Sequence, residues 1–262
     1  MKKQIDINCD IGEDSNPIAL SRLDQILPFI SSGNVACGFH AGSPDLMRKT
    51  MEKLLVHNVR IGAHPSFNDR ENFGRKELFI EPTIIYNEVL YQIAAAAGVA
   101  SAVGGVLSHV KPHGALYNMA AVRGDYAGAV VNAILDFDKN LKLYGLAGST
   151  LLEYGRASGL VCASEVFADR NYESDGSLIS RKKKNAIIVD EKTCVEQILK
   201  ILENGYALTP LGVMVYLEAD TICLHGDNVD APVFAQKLHE SLTNRGFEIG
   251  PPYSKNEKDN QI

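Results

Sequence analysis

Short apolar stretches alternate with longer stretches of helical periodicity along most of the chain. In residues 5–12 apolar and polar residues alternate, which predicts a strand that carries Asn8 and Asp10 on one face. Seven such stretches are predicted as β-strands, covering residues 5–12, 35–39, 59–63, 106–111, 141–147, 160–168 and 221–224. The predicted helices cover residues 17–31, 44–57, 81–103, 125–135, 149–158, 191–204 and 231–245.

Strands that alternate with helices favour a parallel sheet covered by helices. Seven such units in a chain of 262 residues favour a closed or nearly closed barrel over an open, doubly wound sheet. We therefore predict a single-domain, TIM-like, seven-stranded β/α barrel of the α/β class over residues 1–250, and we expect the polar C-terminal tail, residues 251–262, to be disordered. Segment 172–190, with its basic run at residues 181–184, is predicted as an inserted loop or hairpin that acts as a lid or as a docking surface.

Polar and ionisable residues follow the predicted strands at their carboxyl ends. The most pronounced example lies in residues 108–117, where an apolar run stops on Lys111, Pro112 and His113, and Gly114 then lets the backbone turn. If the sheet closes into a barrel, one rim collects Asp10, Glu13, His40, His64, Lys111, His113, Glu165, Asp169, Arg170, His225 and Asp227. The carboxyl-terminal rim is where barrel enzymes place their catalytic groups, so we predict an active site there.

Four of the seven histidines end successive strands, and this recurrence favours a functional cluster. By contrast, His57, His109 and His239 are interpreted as structural residues. Histidines and carboxylates can hold a divalent metal that activates water, or they can act without metal as general bases. No His-Glu-x-x-His motif is present and the histidines come from separate strands, so the sequence leaves both alternatives open.

Net charge and cysteine content indicate which binding partners are disfavoured and in which cellular compartment the protein is expected. The formal net charge of -6 at pH 7 disfavours nucleic acid and anionic membranes as partners. No stretch is apolar for long enough to span a bilayer and the first residues lack a secretory pattern, so we expect a cytoplasmic protein. The five cysteines are widely spaced and odd in number, which indicates buried thiols in a reducing compartment.

The sequence lacks three common catalytic motifs. There is no Gly-x-x-x-x-Gly-Lys-Ser/Thr and no Gly-x-Gly-x-x-Gly after a strand, so nucleotide chemistry would need an unfamiliar site or another subunit. Gly-x-Ser-x-Gly is also missing, which makes attack by an activated water more plausible than a covalent acyl-enzyme.

Six blocks, in order and spanning nearly the whole chain, resemble the LamB/YcsF family: residues 6–13, 34–42, 61–65, 109–118, 165–172 and 223–227. The resemblance implies a seven-stranded barrel similar to the glycoside hydrolase and deacetylase barrels. It also implies a role in opening 5-oxo-L-proline to L-glutamate with hydrolysis of ATP, together with 5-oxoprolinase subunits B and C, which would supply the Mg-ATP. The chain departs from the family pattern at residues 14–16 and at Ser66, which bears on loop shape and substrate fit.

On this resemblance we assign hypothetical roles. The catalytic set is Asp10, His40, His64, Lys111, His113 and Glu165, and the substrate-binding set is Asn8, Glu13, Asp169, Arg170, His225 and Asp227. Asp10 or His64 would activate water; His40, His113 and His225 would position it or move protons. Lys111 and Arg170 would hold the substrate carboxylate or the phosphorylated oxygen, and Glu165 and Asp169 would orient these cations. If a metal binds, its candidate ligands are Asp10, His40 and His64.

Two alternatives stay open. The first is a stand-alone metal-dependent amidohydrolase or carbohydrate deacetylase, for which ATP would not be needed. The second is a non-catalytic subunit that binds a small acid, in which the rim residues would set affinity only. The density of titratable groups favours an enzyme over the second alternative.

Overall fold

Seven parallel strands close into a barrel. The computed structural model describes residues 3–225 and 230–252, with the backbone alone for His225. The barrel strands are β1 (Gln4–Ile11), β2 (Ser32–Ala36), β3 (Arg60–His64), β4 (Leu107–Val110), β5 (Lys142–Leu146), β6 (Cys162–Phe167) and β9 (Thr221–His225). Each pairs with the next in this order, and β9 returns to pair with β1, with Asp10 opposite both Asn34 and His225. The predicted seven-stranded β/α barrel is confirmed.

Helices surround the barrel and follow its strands. They are α1 (Pro17–Ile26), α2 (Pro44–Val56), α3 (Pro82–Ala102), α4 (Gly114–Ala120), α5 (Gly124–Asp138), α6 (Thr150–Ala157), α7 (Glu191–Asn204) and α8 (Ala231–Asn244). Several begin on the residues that the sequence indicated; the Ser43 side chain, for instance, accepts a hydrogen bond from the amide of Leu46 at the start of α2. Within the described residues, no helix combines the length and the apolar character needed to cross a bilayer.

Five elements were not predicted. The short helix α4 follows β4 directly, and a 3₁₀ turn at Leu27–Phe29 follows α1. An antiparallel hairpin, β7 (Tyr206–Leu208) with β8 (Met214–Tyr216), lies outside the barrel. The two-residue strand β10 (Glu248–Ile249) pairs with β1 on the amino-terminal side of the β1–β2 ladder.

The second strand lies three residues earlier than predicted. The helix ends at Ile26, because Pro28 has no amide hydrogen to continue the α-helical bonds. Gly33 lies inside β2, where the side chains of Ile11 and Leu54 occupy the space that a side chain at this position would need. Residues 37–42, predicted in part as strand, form a loop that leads to the site.

The inside of the barrel is polar at its amino-terminal end. The even-numbered residues of β1 point inward, and the carboxylate of Asp6 accepts hydrogen bonds from the hydroxyls of Ser31, Ser32 and Thr221 at 2.5–2.8 Å. Burial raises the pKa of Asp6. The odd-numbered residues of β1 are apolar and buried on the opposite face of the strand. The apolar core thus lies between the sheet and the helices, while hydrogen-bonded side chains fill the barrel itself.

The carboxyl-terminal end of the chain is described only to residue 252. The side chain of Gln4 donates to the carbonyl of Pro251, and the ammonium of Lys142 donates to the carbonyl of Pro252. Residues 253–262, most of the tail for which we expected disorder, lie outside the described residues.

Candidate active site

Lys111 lies at the carboxyl-terminal end of the barrel in direct contact with two carboxylates. Its Nζ is 2.9 Å from Oδ1 of Asp10 and 2.8 Å from Oε1 of Glu165. Oδ1 of Asn8, at 3.2 Å, and Sγ of Cys223, at 3.1 Å, complete its surroundings. Burial alone would lower the pKa of Lys111, but the two carboxylates hold it well above 10.5, so the ammonium stays charged.

Further hydrogen bonds fix both carboxylates. The amide of Asn34 donates to Oδ1 of Asp10 at 2.8 Å. Glu165 accepts from the amide of Asn8 at 2.8 Å and from the hydroxyl of Tyr117 at 2.7 Å. Because each carboxylate is held by several donors, its orientation is set before any substrate binds.

Three histidine rings and one carboxylate form a second cluster beside this network. The rings of His40 and His113 stack with centroids 3.8 Å apart, and the ring of His64 meets both edge-on. Nε2 of His64 is 3.0 Å from Nδ1 of His113, and Nε2 of His40 is 3.2 Å from Oε1 of Glu13. Oδ2 of Asp10 is 3.4 Å from Nε2 of His64 and joins the two clusters.

The outward-facing nitrogens of the three rings are engaged by the surrounding loops. Nδ1 of His64 is 2.7 Å from the carbonyl oxygen of Lys111, and Nε2 of His113 is 2.9 Å from that of Phe73. Nδ1 of His40 is 3.0 Å from the hydroxyl of Ser66. Burial lowers the pKa of His40 to about 2 and that of His113 well below 6.5, so both rings are neutral.

Glycines and one arginine let the loops approach this closely. Gly74 has a φ of +62°, and a Cβ there would lie 2.9 Å from Cβ of His40 and 3.0 Å from Cδ2 of His113. The guanidinium of Arg70 donates to the carbonyls of Gly38 and Gly42, which ties the loop after β2 to the loop after β3. A side chain at position 74 would therefore require His40, His113 or the loop itself to shift.

A cavity of about 850 Å³ opens above both clusters. Its floor is formed by Asp10, Glu13, His64, Lys111 and His113. Four exposed basic side chains line its mouth beside one exposed carboxylate, Glu77; the basic residues are Arg75, Lys76, Arg181 and Lys182. The charge at the mouth favours an anionic ligand.

The structure brings most of the predicted site residues together. Asn8 and Glu165 lie below the floor of the cavity, and the remaining catalytic candidates lie on it or in the stacked histidine cluster beside it. Of the candidate metal ligands, His40 and His64 belong to the cluster of four that could hold an ion, which also contains Glu13 and His113. Asp10, the third candidate, lies next to this cluster and is bound to Lys111.

Arg170 and Asp169 are placed at the edge of the site. The guanidinium of Arg170 lies in the cavity wall and donates to the carbonyls of Ile179, at 2.7 Å, and Ala186, at 3.4 Å. Burial lowers the pKa of Arg170 to about 10, and Asp169 opposes this effect. The side chain of His225, at the end of β9, and all of Asp227 lie outside the described residues.

Segment 172–190 forms part of the cavity wall. One isolated bridge, between Tyr172 and Leu178, lies within it and a second joins its Ile187 to Arg170, so it is not a continuous hairpin. Ser177, Ser180 and the two basic residues after it line the cavity. The hydrogen bonds from Arg170 therefore hold a wall of the cavity in place.

Sequence reasoning missed several residues of the polar network. His109 was interpreted as structural, and its Nε2 lies 2.8 Å from Oδ1 of Asn34, which in turn binds Asp10. Asn34, Tyr117 and Thr221 were not singled out. All three are buried, Asn34 and Thr221 on barrel strands and Tyr117 on α4, and only a polar side chain at an otherwise buried position could have indicated them.

Comparisons with known proteins agree with this architecture. Residues 5–257 match the LamB/YcsF family. The chain is 50% identical, over 94% of its length and 96% of the relative, to the 5-oxoprolinase A subunit of Geobacillus thermodenitrificans. The crystal structure of a lactam utilization protein from Thermus thermophilus superposes with a TM-score of 0.87 at 36% identity, covering 94% of this chain and 99% of that one. The catalytic domain of a peptidoglycan N-acetylglucosamine deacetylase from Eubacterium rectale shares the fold alone, with a TM-score of 0.51 at 11% identity over 97% of this chain and 90% of that one.

Proposed function

The chain belongs to the LamB/YcsF family, and on that premise we propose that it is the A subunit of an ATP-dependent 5-oxoprolinase, which opens 5-oxo-L-proline to L-glutamate. The observation that carries the proposal is the buried Lys111, paired with Asp10 and Glu165 at the floor of a cavity with a basic mouth. Relatives that are 45–50% identical over at least 94% of this chain are named as 5-oxoprolinase A subunits, and this name supports the substrate.

The cavity suits a small anion. The carboxylate of 5-oxo-L-proline is ionised at neutral pH, and the four basic residues at the mouth attract it. A volume of about 850 Å³ lies within the range of small-molecule sites and exceeds what the five-membered ring alone requires. The remaining space leaves room for a phosphoryl group on the ring carbonyl.

The lactam must be activated before water can open it, because the amide is stabilised by resonance. Transfer of the γ-phosphoryl group of ATP to the ring carbonyl oxygen gives ADP and an electrophilic carbon. A first water adds to that carbon, the carbon–nitrogen bond breaks, and the product is an acyl phosphate of glutamate. A second water releases phosphate and L-glutamate. Since the sequence contains no P-loop, subunits B and C would supply the Mg-ATP site.

Asp10 is the base that this geometry favours. Its Oδ1 is engaged by Lys111 and Asn34, whereas Oδ2 faces His64 at the cavity floor. We assign to Oδ2 the proton of the attacking water, which it returns to the ring nitrogen as that nitrogen leaves. Lys111 is a positioning residue in this scheme: its charge keeps Asp10 ionised and its bonds fix the carboxylate plane.

The test measures glutamate and ADP released from 5-oxo-L-proline and ATP, first with this chain alone and then with candidate subunits B and C. We expect turnover only in the full mixture. Asp10→Asn should lower kcat by about 10²–10⁴-fold with the fold intact. The matched control is Asp24→Asn, a surface carboxylate paired with Lys53, and it should leave the rate unchanged. A double-digit percentage of activity surviving in Asp10→Asn would remove this residue from the chemistry.

The cluster of His40, His64, His113 and Glu13 favours a second candidate, a stand-alone metal-dependent amidohydrolase or carbohydrate deacetylase. Hydrolysis of an amide by this chain alone, without ATP, would support that candidate over the first.

We also assign the protein to the cytoplasm. All five cysteines are buried free thiols, which agrees with a reducing compartment.

A further inference from the structure

We propose that His40, His64, His113 and Glu13 bind one divalent transition-metal ion of the Zn²⁺ class. The contacts of each ring determine which of its nitrogens carries the proton. A carbonyl oxygen can only accept a hydrogen bond, so Nδ1 of His64, at 2.7 Å from the carbonyl of Lys111, carries a hydrogen. In the neutral ring Nε2 then carries a lone pair, which points into the cluster.

In His113 the two ring nitrogens exchange these roles. Its Nε2 donates to the carbonyl of Phe73, so its lone pair lies on Nδ1. The lone pairs of His64 and His113 therefore face each other at 3.0 Å. Two acceptors at this distance repel unless a proton or a cation lies between them.

A second pair of acceptors lies beside the first. The hydroxyl of Ser66 donates its one hydrogen to the carbonyl of Phe67, so it accepts from Nδ1 of His40. The lone pair of His40 then lies on Nε2, which faces Oε1 of Glu13 at 3.2 Å. An ionised carboxylate and an imidazole lone pair also repel at this distance.

One cation resolves both conflicts. The four ligand atoms all lie within 4.8 Å of one another, and the close pairs are 3.0–3.8 Å apart. Ligands bound at about 2.0–2.2 Å around a tetrahedral ion are separated by roughly 3.3–3.6 Å. A single proton would relieve only one of the two pairs, whereas one metal ion relieves both.

The donor set determines the class of metal. Three imidazoles and one carboxylate suit Zn²⁺, Co²⁺ or Mn²⁺, whereas Mg²⁺ and Ca²⁺ prefer oxygen ligands. The Mg²⁺ that accompanies ATP is therefore not the expected occupant. Each imidazole is also oriented from behind by a carbonyl or a hydroxyl, as metal-binding histidines are. A bound ion of this class would polarise water or the ring carbonyl next to Oδ2 of Asp10.

The experiment measures metal binding by the full chain without substrate or partner subunits, so its result is independent of the 5-oxoprolinase assay. Chelator-treated protein is dialysed against Zn²⁺ or Co²⁺, and bound metal is determined by elemental analysis and by the visible spectrum of Co²⁺. We expect one equivalent of each metal, with a Co²⁺ spectrum typical of four or five ligands, and no displacement by millimolar Mg²⁺.

The variants Glu13→Gln and His40→Gln should each weaken binding by at least about 100-fold, whereas the exposed His57→Gln should bind as the parent does. Glu13 is half-buried in a loop, so its variant keeps the assay informative if His40→Gln does not fold. Stoichiometric binding that survives Glu13→Gln and His40→Gln would overturn the ligand set. Failure to bind Zn²⁺ and Co²⁺, together with ¹⁵N chemical shifts showing a doubly protonated His64 or His113, would show that a proton occupies the site instead.

Discussion

Replacing Lys111 by methionine tests the charge network at the floor of the site. The change keeps the length of the side chain and removes its charge, which leaves Glu165 fully buried and Asp10 largely buried without their shared cation. Breaking a buried ion pair by removing one partner costs about 3–5 kcal/mol, a large part of the free energy of unfolding of a typical domain. We expect Lys111→Met to lower the free energy of unfolding by that amount.

The pH dependence of this loss follows from the raised pKa of Lys111. A group whose pKa is higher in the folded state stabilises the protein fully below its unfolded pKa, here 10.5, and loses that effect as the pH rises through the folded pKa. The difference between the parent and Lys111→Met should therefore be the same at about pH 7 and about pH 9. Urea denaturation followed by circular dichroism at both pH values measures it.

Two comparisons make the result specific. Lys53→Met removes the cation of a partly exposed pair with Asp24 and should cost less than about 1 kcal/mol. Adding Glu165→Gln to Lys111→Met should cost less than the sum of the two single changes, by roughly 1–3 kcal/mol, because the second change removes a charge that the first left unpaired. A loss below about 1 kcal/mol for Lys111→Met, or strict additivity with Glu165→Gln, would refute the role given to this ion pair.

Three further predictions concern other parts of the barrel. In Gly62→Ala the new Cβ would lie 2.0 Å from Nε2 of His109, so we expect the free energy of unfolding, measured by urea denaturation, to fall by about 1–3 kcal/mol. The control Gly98→Ala places its Cβ in open space on α3 and should raise the free energy of unfolding by about 0.5–1 kcal/mol. Arg170→Gln removes the hydrogen bond that holds segment 172–190 against the cavity, so it should raise KM more than it lowers kcat and should speed proteolysis within that segment. The surface change Lys183→Gln should do neither. An unchanged KM and an unchanged cleavage rate in Arg170→Gln would contradict this role of Arg170. Because burial raises the pKa of Asp6, the folded state binds more protons than the unfolded chain, so the free energy of unfolding should fall as the pH rises from 3.8 through the folded pKa. Asp6→Asn should remove this pH dependence. An unchanged pH dependence in the variant would exclude Asp6 as its source.

The barrel, and the gathering of ionisable residues at its carboxyl-terminal rim, could be predicted from sequence because both follow from periodic patterns. Alternation in β1 placed Asn8 and Asp10 on one face, and histidines at strand ends marked the rim. The position of β2 could not be predicted, because its small residues, such as Gly33, carry no apolar signal. Position 33 must be glycine because the side chains of Ile11 and Leu54 fill the space that a Cβ there would need, and these two residues lie far from it in the sequence.

The hydrogen-bond partners within the site could not be predicted from the sequence either. Lys111 was expected to hold substrate, and the structure surrounds it with protein acceptors contributed by three other strands. The proton positions on His40, His64 and His113 depend on loop carbonyls and on one serine. Contacts of this kind arise only when loops fold against each other, so spacing along the chain does not encode them.

The closure of the barrel between β1 and β9 has a consequence for synthesis of the protein. The hydrogen bond from Thr221 to Asp6 joins residues 215 positions apart. At about 5–20 residues per second, the ribosome needs roughly 10–40 s to make the chain between them. Throughout that time β1 has an open edge, and an open edge invites pairing with other chains. Because every second side chain of β1 is polar, this open edge exposes less apolar surface than a wholly apolar strand would.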